Sequence, residues 1–134
     1  MNFVDIFKVL GDDTRIRMFN ILSQEQLCVC EIETILDITQ SNASRHLNRL
    51  KTAKIINYDK KSQWIYYYID KEFIKENKLL YNYLIEKIKT NNKCMEDIKI
   101  LKKYRESNLN CKNIRENKEE VVQLIRKKCK CNKK

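Results

Sequence analysis

The sequence predicts a mainly α chain carrying one small β-hairpin, and three observations support that expectation. The 134 residues include one Gly and no Pro, so the chain has few of the residues from which serial tight hairpins are built. Apolar residues recur at spacings of three and four through the first fifty positions, the period of helices with one buried face. Only residues 55–69 switch to β-branched and aromatic runs of strand character. A 43% apolar share supports a real core, and the length suits one small domain with an appendage. Collagen-like, linker-like and Pro-rich classes are excluded.

Phe3, Ile6, Phe7 and Leu10 fall at i, i+3, i+4 and i+7, which predicts a first helix with that face buried. Gly11 ends it, and Asp12 or Asp13 can cap a second helix with Ile16, Phe19, Ile21 and Leu22 inward. Leu27 to Leu36 reads as a short third helix, and Thr39 opens a fourth from Gln40 to about Lys54. On that fourth helix Ala43, Leu47, Leu50 and Lys54 share one side, while Ser41, Arg45, Asn48, Arg49 and Thr52 lie roughly opposite at about 100° per residue. Residues 55–58 and 64–69 then predict two strands, with Asp59 to Gln63 as a basic tip. A long helix is expected from about Lys71 to Thr90, with an apolar stripe of Phe73, Leu80, Tyr81, Leu84, Ile85 and Ile88 wide enough for a partner helix. Met95, Ile98 and Leu101 mark one more helix. Residues 107–134 are polar and basic with a weak Val121, Val122, Leu124 and Ile125 cluster, and read as marginal helix or disorder. The expected division is residues 1–92 as the main domain and residues 93–134 as a Cys-containing basic extension.

Charge is unevenly placed. Residues 1–39 carry three basic and seven acidic side chains, whereas residues 40–61 carry six basic ones against Asp59 alone. A compact basic segment after an acidic start fits a polyanion-binding surface, and equally a solvated Lys-rich face. No apolar run reaches membrane-spanning length, and the first ten residues lack a secretory n-region, so a cytoplasmic, non-membrane protein with reduced cysteines is expected. With a single His, a single Gly and no Cys-x-x-Cys pair, enzyme chemistry has little support.

Three helices, a fourth exposing Ser, Arg and His, and a two-stranded basic hairpin describe a winged helix-turn-helix in the order α-α-α-α-β-β-α. A helix fits the major groove, its Arg and Ser side chains read base edges or phosphates, and Lys at the hairpin tip grips the neighbouring backbone. Four blocks sharpen this reading: Leu10–Arg15, Leu27–Ile32, Gln40–Leu47 and Gln63–Tyr67. In order and spacing they resemble the ArsR/SmtB metalloregulatory repressors over about residues 2–92. The resemblance implies a homodimer that binds double-stranded operator DNA and leaves it when a metal or metalloid binds. By that resemblance Gln40, Ser41, Ser44, Arg45 and His46 face DNA and Lys60 and Lys61 lie in the wing; Arg49 joins them from its place on the outer face. His46 sits about 60° from the apolar axis of its helix, where it could bond a phosphate or pack at the helix edge.

Cys28 and Cys30 are the most informative pair. In a regular helix i and i+2 lie about 200° apart, so these thiols share an ion only if the helix start is distorted or extended. A helix N-terminus would lower both thiol pKa values and poise them as soft ligands; the alternative is two small core residues. In this context the pair resembles the arsenic(III)/antimony(III) sensors and the cadmium/lead sensors of the family. Glu33 stands where some arsenic sensors have a third Cys. A third sulfur is therefore expected from Cys94, Cys111, Cys129 or Cys131, with Cys111 fitting best by resemblance to longer members. The expected function is repression of an arsenic-resistance operon relieved by arsenite; a cadmium, lead, zinc or thiol-redox signal is the alternative.

Overall fold

The structure is a computed structural model describing residues 2–131, with the side chains of Cys111 and residues 127–131 outside the described residues. Four helices come first: α1 (Phe3–Leu10), α2 (Asp13–Leu22), α3 (Val29–Leu36) and α4 (Gln40–Thr52). Each start is fixed locally. Asn2, Asp12 and Thr39 accept the backbone N–H of Val4, Arg15 and Asn42, satisfying donors that the first helical turn leaves open. Met18, Phe19, Ile21, Ile32, Ile35 and Leu50 are fully buried between them.

The sheet has three antiparallel strands in the order β1-β3-β2: β1 (Leu27–Cys28), β2 (Ile56–Lys61) and β3 (Trp64–Ile69). Lys61 pairs with Trp64 and Ile56 with Ile69, leaving Ser62 and Gln63 as the loop; Ser62 holds φ at 60°. This tip is shorter than the sequence suggested, because Asp59–Lys61 stay in register with Trp64–Tyr66. Leu27 and Cys28 are also not helical. They pair with Tyr67 and Tyr66, so α3 starts only at Val29.

The single long helix expected after the hairpin is two: α5 (Lys71–Glu76) and α6 (Lys78–Ile88). Asn77 interrupts it, its side-chain amide donating to the Phe73 carbonyl at 3.2 Å beside its own backbone N–H at 2.9 Å, the local competition that makes Asn a poor helix-interior residue. On α1 the buried positions are Ile6, Val9 and Leu10; Phe3 and Phe7, expected inward, are exposed at 67% and 56%.

The C-terminal region is helical and packed. It forms α7 (Asn92–Glu106), α8 (Cys111–Glu116) and α9 (Lys118–Cys131). Arg17 clamps Asp97 of α7 through two bonds of 2.7 and 3.0 Å, and Asn20 donates to the Cys94 carbonyl at 2.9 Å, tying α7 to α2. Ile114, Val121 and Ile125 are buried. Arg126 of α9 donates to the carbonyls of Thr34 and Ile35 at 3.1 and 2.9 Å, filling acceptors at the end of α3. Together α3, α4 and the β2–β3 hairpin make a winged helix-turn-helix. No described helix is long and apolar enough to cross a membrane.

Candidate nucleic-acid interface and thiol cavity

The α4 helix buries Ala43, His46, Leu47 and Leu50, so its opposite face points outward by helical geometry. Gln40, Ser41, Ser44, Arg45 and Arg49 are all exposed there. Arg45 is oriented by its bond to the Asn42 side chain at 3.1 Å. On the hairpin, Lys60 and Lys61 are exposed at the tip, and Lys51 of α4 sits 4.2 Å from the centre of the Tyr58 ring. That cation–π contact joins the end of α4 to the wing.

His46 corrects the sequence expectation. It is 6% exposed and turned inward, its Nδ1 2.9 Å from Arg15 Nη1. Arg15 is buried as well; its Nε donates to the Val9 carbonyl, and Asp12 lies 4.0 Å away. A guanidinium only donates, so His46 Nδ1 is the acceptor and the ring proton sits on Nε2. Burial holds the His46 pKa below its ordinary value, with Arg45, Arg15 and Arg49 acting the same way and Asp12 opposing them. His46 thus fixes α4 against α1 and α2.

At the N-terminus of α3, Cys28 occupies the cap position in extended conformation, φ −85° and ψ 167°. Its N–H donates to Glu31 Oε1 at 2.9 Å, and Glu31 Oε2 accepts from the buried Tyr104 hydroxyl of α7. The extended residue swings the Cys28 sulfur to 3.1 Å from that of Cys30, the geometry a regular helix forbids. Cys30 carries a free thiol, and Cys28 is disulfide-bonded. The expected drop in thiol pKa is not found for Cys30. Burial first, then Glu31 and Glu33, push it up to about 11; the helix N-terminus is outweighed by desolvation and two adjacent carboxylates.

A cavity of about 470 Å³ opens beside the pair. Its walls include Cys28 at the end of β1, Cys30 and Glu33 of α3, Gln40 at the start of α4, Gln63 and Trp64 at the wing, and Ile114, Arg115 and Lys118 from the C-terminal helices. Lys118 holds Glu33 Oε1 at 2.7 Å. Among the described residues no three His, Cys, Asp or Glu side chains gather as a metal site. Cys94 is buried against α2 and does not line this cavity. Cys111 opens α8, the helix that carries Ile114 and Arg115, and its side chain lies outside the described residues; so do those of Cys129 and Cys131. Sequence reasoning missed Trp64, Arg115 and Lys118 as cavity walls, and the Cys28–Glu31 capping box, whose i, i+3 spacing was visible.

Residues 12–58 match the family described as bacterial regulatory protein, arsR family. The chain is 39% identical over 77 residues to the cadmium resistance transcriptional regulatory protein CadC homolog of Staphylococcus aureus, covering 57% of this chain and 64% of that one. It is 44% identical over 68 residues to the arsenic resistance transcriptional regulator ArsR1 of Pseudomonas putida, covering 50% and 53%. Against the uncharacterized HTH-type transcriptional regulator MJ1325 of Methanocaldococcus jannaschii, identity is 40% over 54% of this chain and 82% of the other. The chain therefore spans between half and two thirds of the length of the first two relatives. Among solved structures, the transcriptional regulator HlyU of Vibrio vulnificus superposes with a TM-score of 0.51 at 28% identity, over 60% of this chain and 84% of that one.

Proposed function

The chain belongs to the ArsR family of bacterial regulatory proteins, and on that premise we propose that it is a homodimeric repressor of an arsenic-resistance operon that arsenite releases from operator DNA. One observation carries the reading: the cavity beside Cys28 and Cys30 shares walls with both DNA-facing elements, Gln40 of α4 and Gln63–Trp64 of the wing. A ligand drawn onto the two sulfurs repositions the start of the reading helix and the tip of the wing. In this reading Arg45 and Arg49, with Gln40, Ser41 and Ser44, meet the major groove, and Lys60 and Lys61 grip the flanking backbone. Exposed Phe3 and Phe7 on α1 and Leu79 and Tyr83 on α6 supply the apolar surface for the second copy.

Cys28 and Cys30 supply two thiolates to the metalloid and Cys111 a third. The raised Cys30 pKa favours As(III) or Sb(III) over a divalent cation. Arsenite exchanges hydroxide for a neutral thiol and releases water, whereas cadmium, lead or zinc must expel the thiol proton. The Cys28 disulfide favours a second reading, in which oxidation of the same cysteines is the signal.

The test is release from a promoter fragment by the reduced full chain under arsenite, antimonite, cadmium, lead, zinc and peroxide in turn. Release by arsenite, lost in C28S and C30S proteins that still bind the fragment, is expected, with C111S weakening it. Unchanged release of the C28S protein at the same arsenite concentration removes the site, and release by peroxide alone transfers the function to the redox reading.

A further inference from the structure

The C-terminal helices touch the DNA-facing hairpin as well as the thiol pair. The Arg115 guanidinium lies 5.2 Å from the centre of the Trp64 ring, and Trp64 is the residue paired with Lys61 at the wing tip. Three residues further on, Lys118 holds Glu33 on α3. Lys118 opens α9, just past Asn117, and Arg115, Lys118, Trp64 and Glu33 all line the cavity beside Cys28 and Cys30. The short α8 that carries Arg115 is bounded by joints on both sides: Asn108 has φ 54°, and Asn117, between α8 and α9, has φ −157° and ψ 80°. It is a small lever: α8 packs directly on α3 and carries Arg115 to the wing, while Lys118, at the start of α9, holds Glu33.

We propose that Arg115 is a positioning residue that relays occupancy of the thiol cavity to the wing through its contact with Trp64. The proposal rests on the reading of Cys28 and Cys30 as the arsenite site and adds a second route to DNA release beside the one through α4. Coupling requires that the occupied and empty states make different contacts at both ends. At one end, drawing the Cys28 and Cys30 sulfurs onto an ion moves the first turn of α3, and with it Glu33 and the Lys118 grip. At the other, movement of α8 shifts the guanidinium across the indole face, and the flat cation–π contact between them is sensitive to such a shift. Because Trp64 stands opposite Lys61, tilting the indole turns the hairpin tip that holds phosphate.

Trp64 is the only tryptophan in the chain, so its emission reports this contact without DNA. The experiment uses the reduced full chain and arsenite as probe, with arsenite uptake measured by equilibrium dialysis, Trp64 emission by titration and DNA release by fluorescence anisotropy. In the wild type, emission should change saturably at the same arsenite concentration as uptake. R115A should take up arsenite within about twofold of the wild type yet lose the emission change. The ratio of its DNA affinities without and with arsenite should shrink by about threefold to tenfold, the range a cation–π contact of this kind supports. R115K, which keeps the cation, should recover part of that ratio, and R115Q replaces R115A if the latter does not fold. Wild-type coupling in R115A and R115Q, or Trp64 emission indifferent to arsenite while uptake and release proceed, overturns the relay. Loss of arsenite uptake in C28S and C30S is read separately and tests the site itself, so the two failures are distinguishable.

Discussion

The Cys30 thiol predicts a pH dependence for one class of inducer and none for the other. With its pKa pushed up to about 11 by burial and by Glu31 and Glu33, Cys30 is protonated throughout the range in which the protein works. Arsenite reacts as As(OH)3 + RSH → As(OH)2SR + H2O, with no net proton. Cadmium reacts as Cd2+ + RSH → CdSR+ + H+, one proton per thiol. The sign follows directly: below about pH 11, each unit of falling pH weakens cadmium binding about tenfold for every thiol proton displaced, and leaves arsenite binding unchanged. For Cys30 alone this amounts to about a hundredfold between about pH 6.5 and 8.5, and more if other thiols also lose protons.

The assay is equilibrium dialysis of reduced protein at several pH values, with cadmium followed also by thiolate charge-transfer absorbance. E33Q removes one of the carboxylates that raise the thiol pKa, so it should tighten cadmium at fixed pH and leave arsenite alone. A cadmium affinity flat across those two pH units would mean that Cys30 is already a thiolate, and the argument for a metalloid over a divalent ion would collapse with it.

Three further outcomes are expected. Replacing Arg45 and Arg49 with Ala should cost about 1–3 kcal/mol per lost base contact on the operator alone, whereas K60A with K61A should weaken all duplexes alike and flatten the salt dependence; identical behaviour of the two pairs on specific and random DNA would refute the division. H46A leaves the buried Arg15 Nη1 without its acceptor, costing about 1–3 kcal/mol. The wild type should lose its His46 contribution as pH falls through 6.5, because the folded pKa is depressed from that value, a loss readable in pH-dependent melts and absent if NMR of this sole histidine gives an unshifted pKa. F3D and L79D change side chains that are 67% and 88% exposed, so they should yield folded monomers in sedimentation; a persistent dimer places the interface elsewhere.

What the sequence made legible was local. The caps at Asp12 and Thr39, the inward stripe of α4 and the strand character of Ile65–Ile69 are set by neighbours within a turn or a pleat, and the structure agrees on each. Two local readings failed for reasons of the same scale. Asn77 carried the side chain that breaks a helix, yet the apolar stripe running through it was the stronger signal. Phe3 and Phe7 satisfied the helical period, but Ile6, Val9 and Leu10 take the buried side of a helix too short to bury both.

The site divides along the same line. The wheel around Ala43 turned Ser41, Arg45, Asn48, Arg49 and Thr52 outward, and all five are exposed; it left His46 undecided because 60° from an apolar axis is where either outcome is sterically open. What decided it was Arg15, 31 positions away, whose buried guanidinium needs an acceptor there. The Cys28–Cys30 spacing stated its own condition, an extended helix start, but could not supply the cause. That cause is β1 pairing with Tyr66 and Tyr67, almost forty residues on. Burial from the surrounding fold likewise reversed the thiol pKa that a helix N-terminus alone would lower. The same non-local packing turned the polar tail into a wall of the cavity: Lys118 has no pattern of its own that announces a partner, and only the docking of α8 and α9 on α3 brings it to Glu33. The residues that bind are therefore readable from period and spacing, while those that hold them in place, and on this reading carry the signal between thiols and DNA, become visible only once distant segments meet.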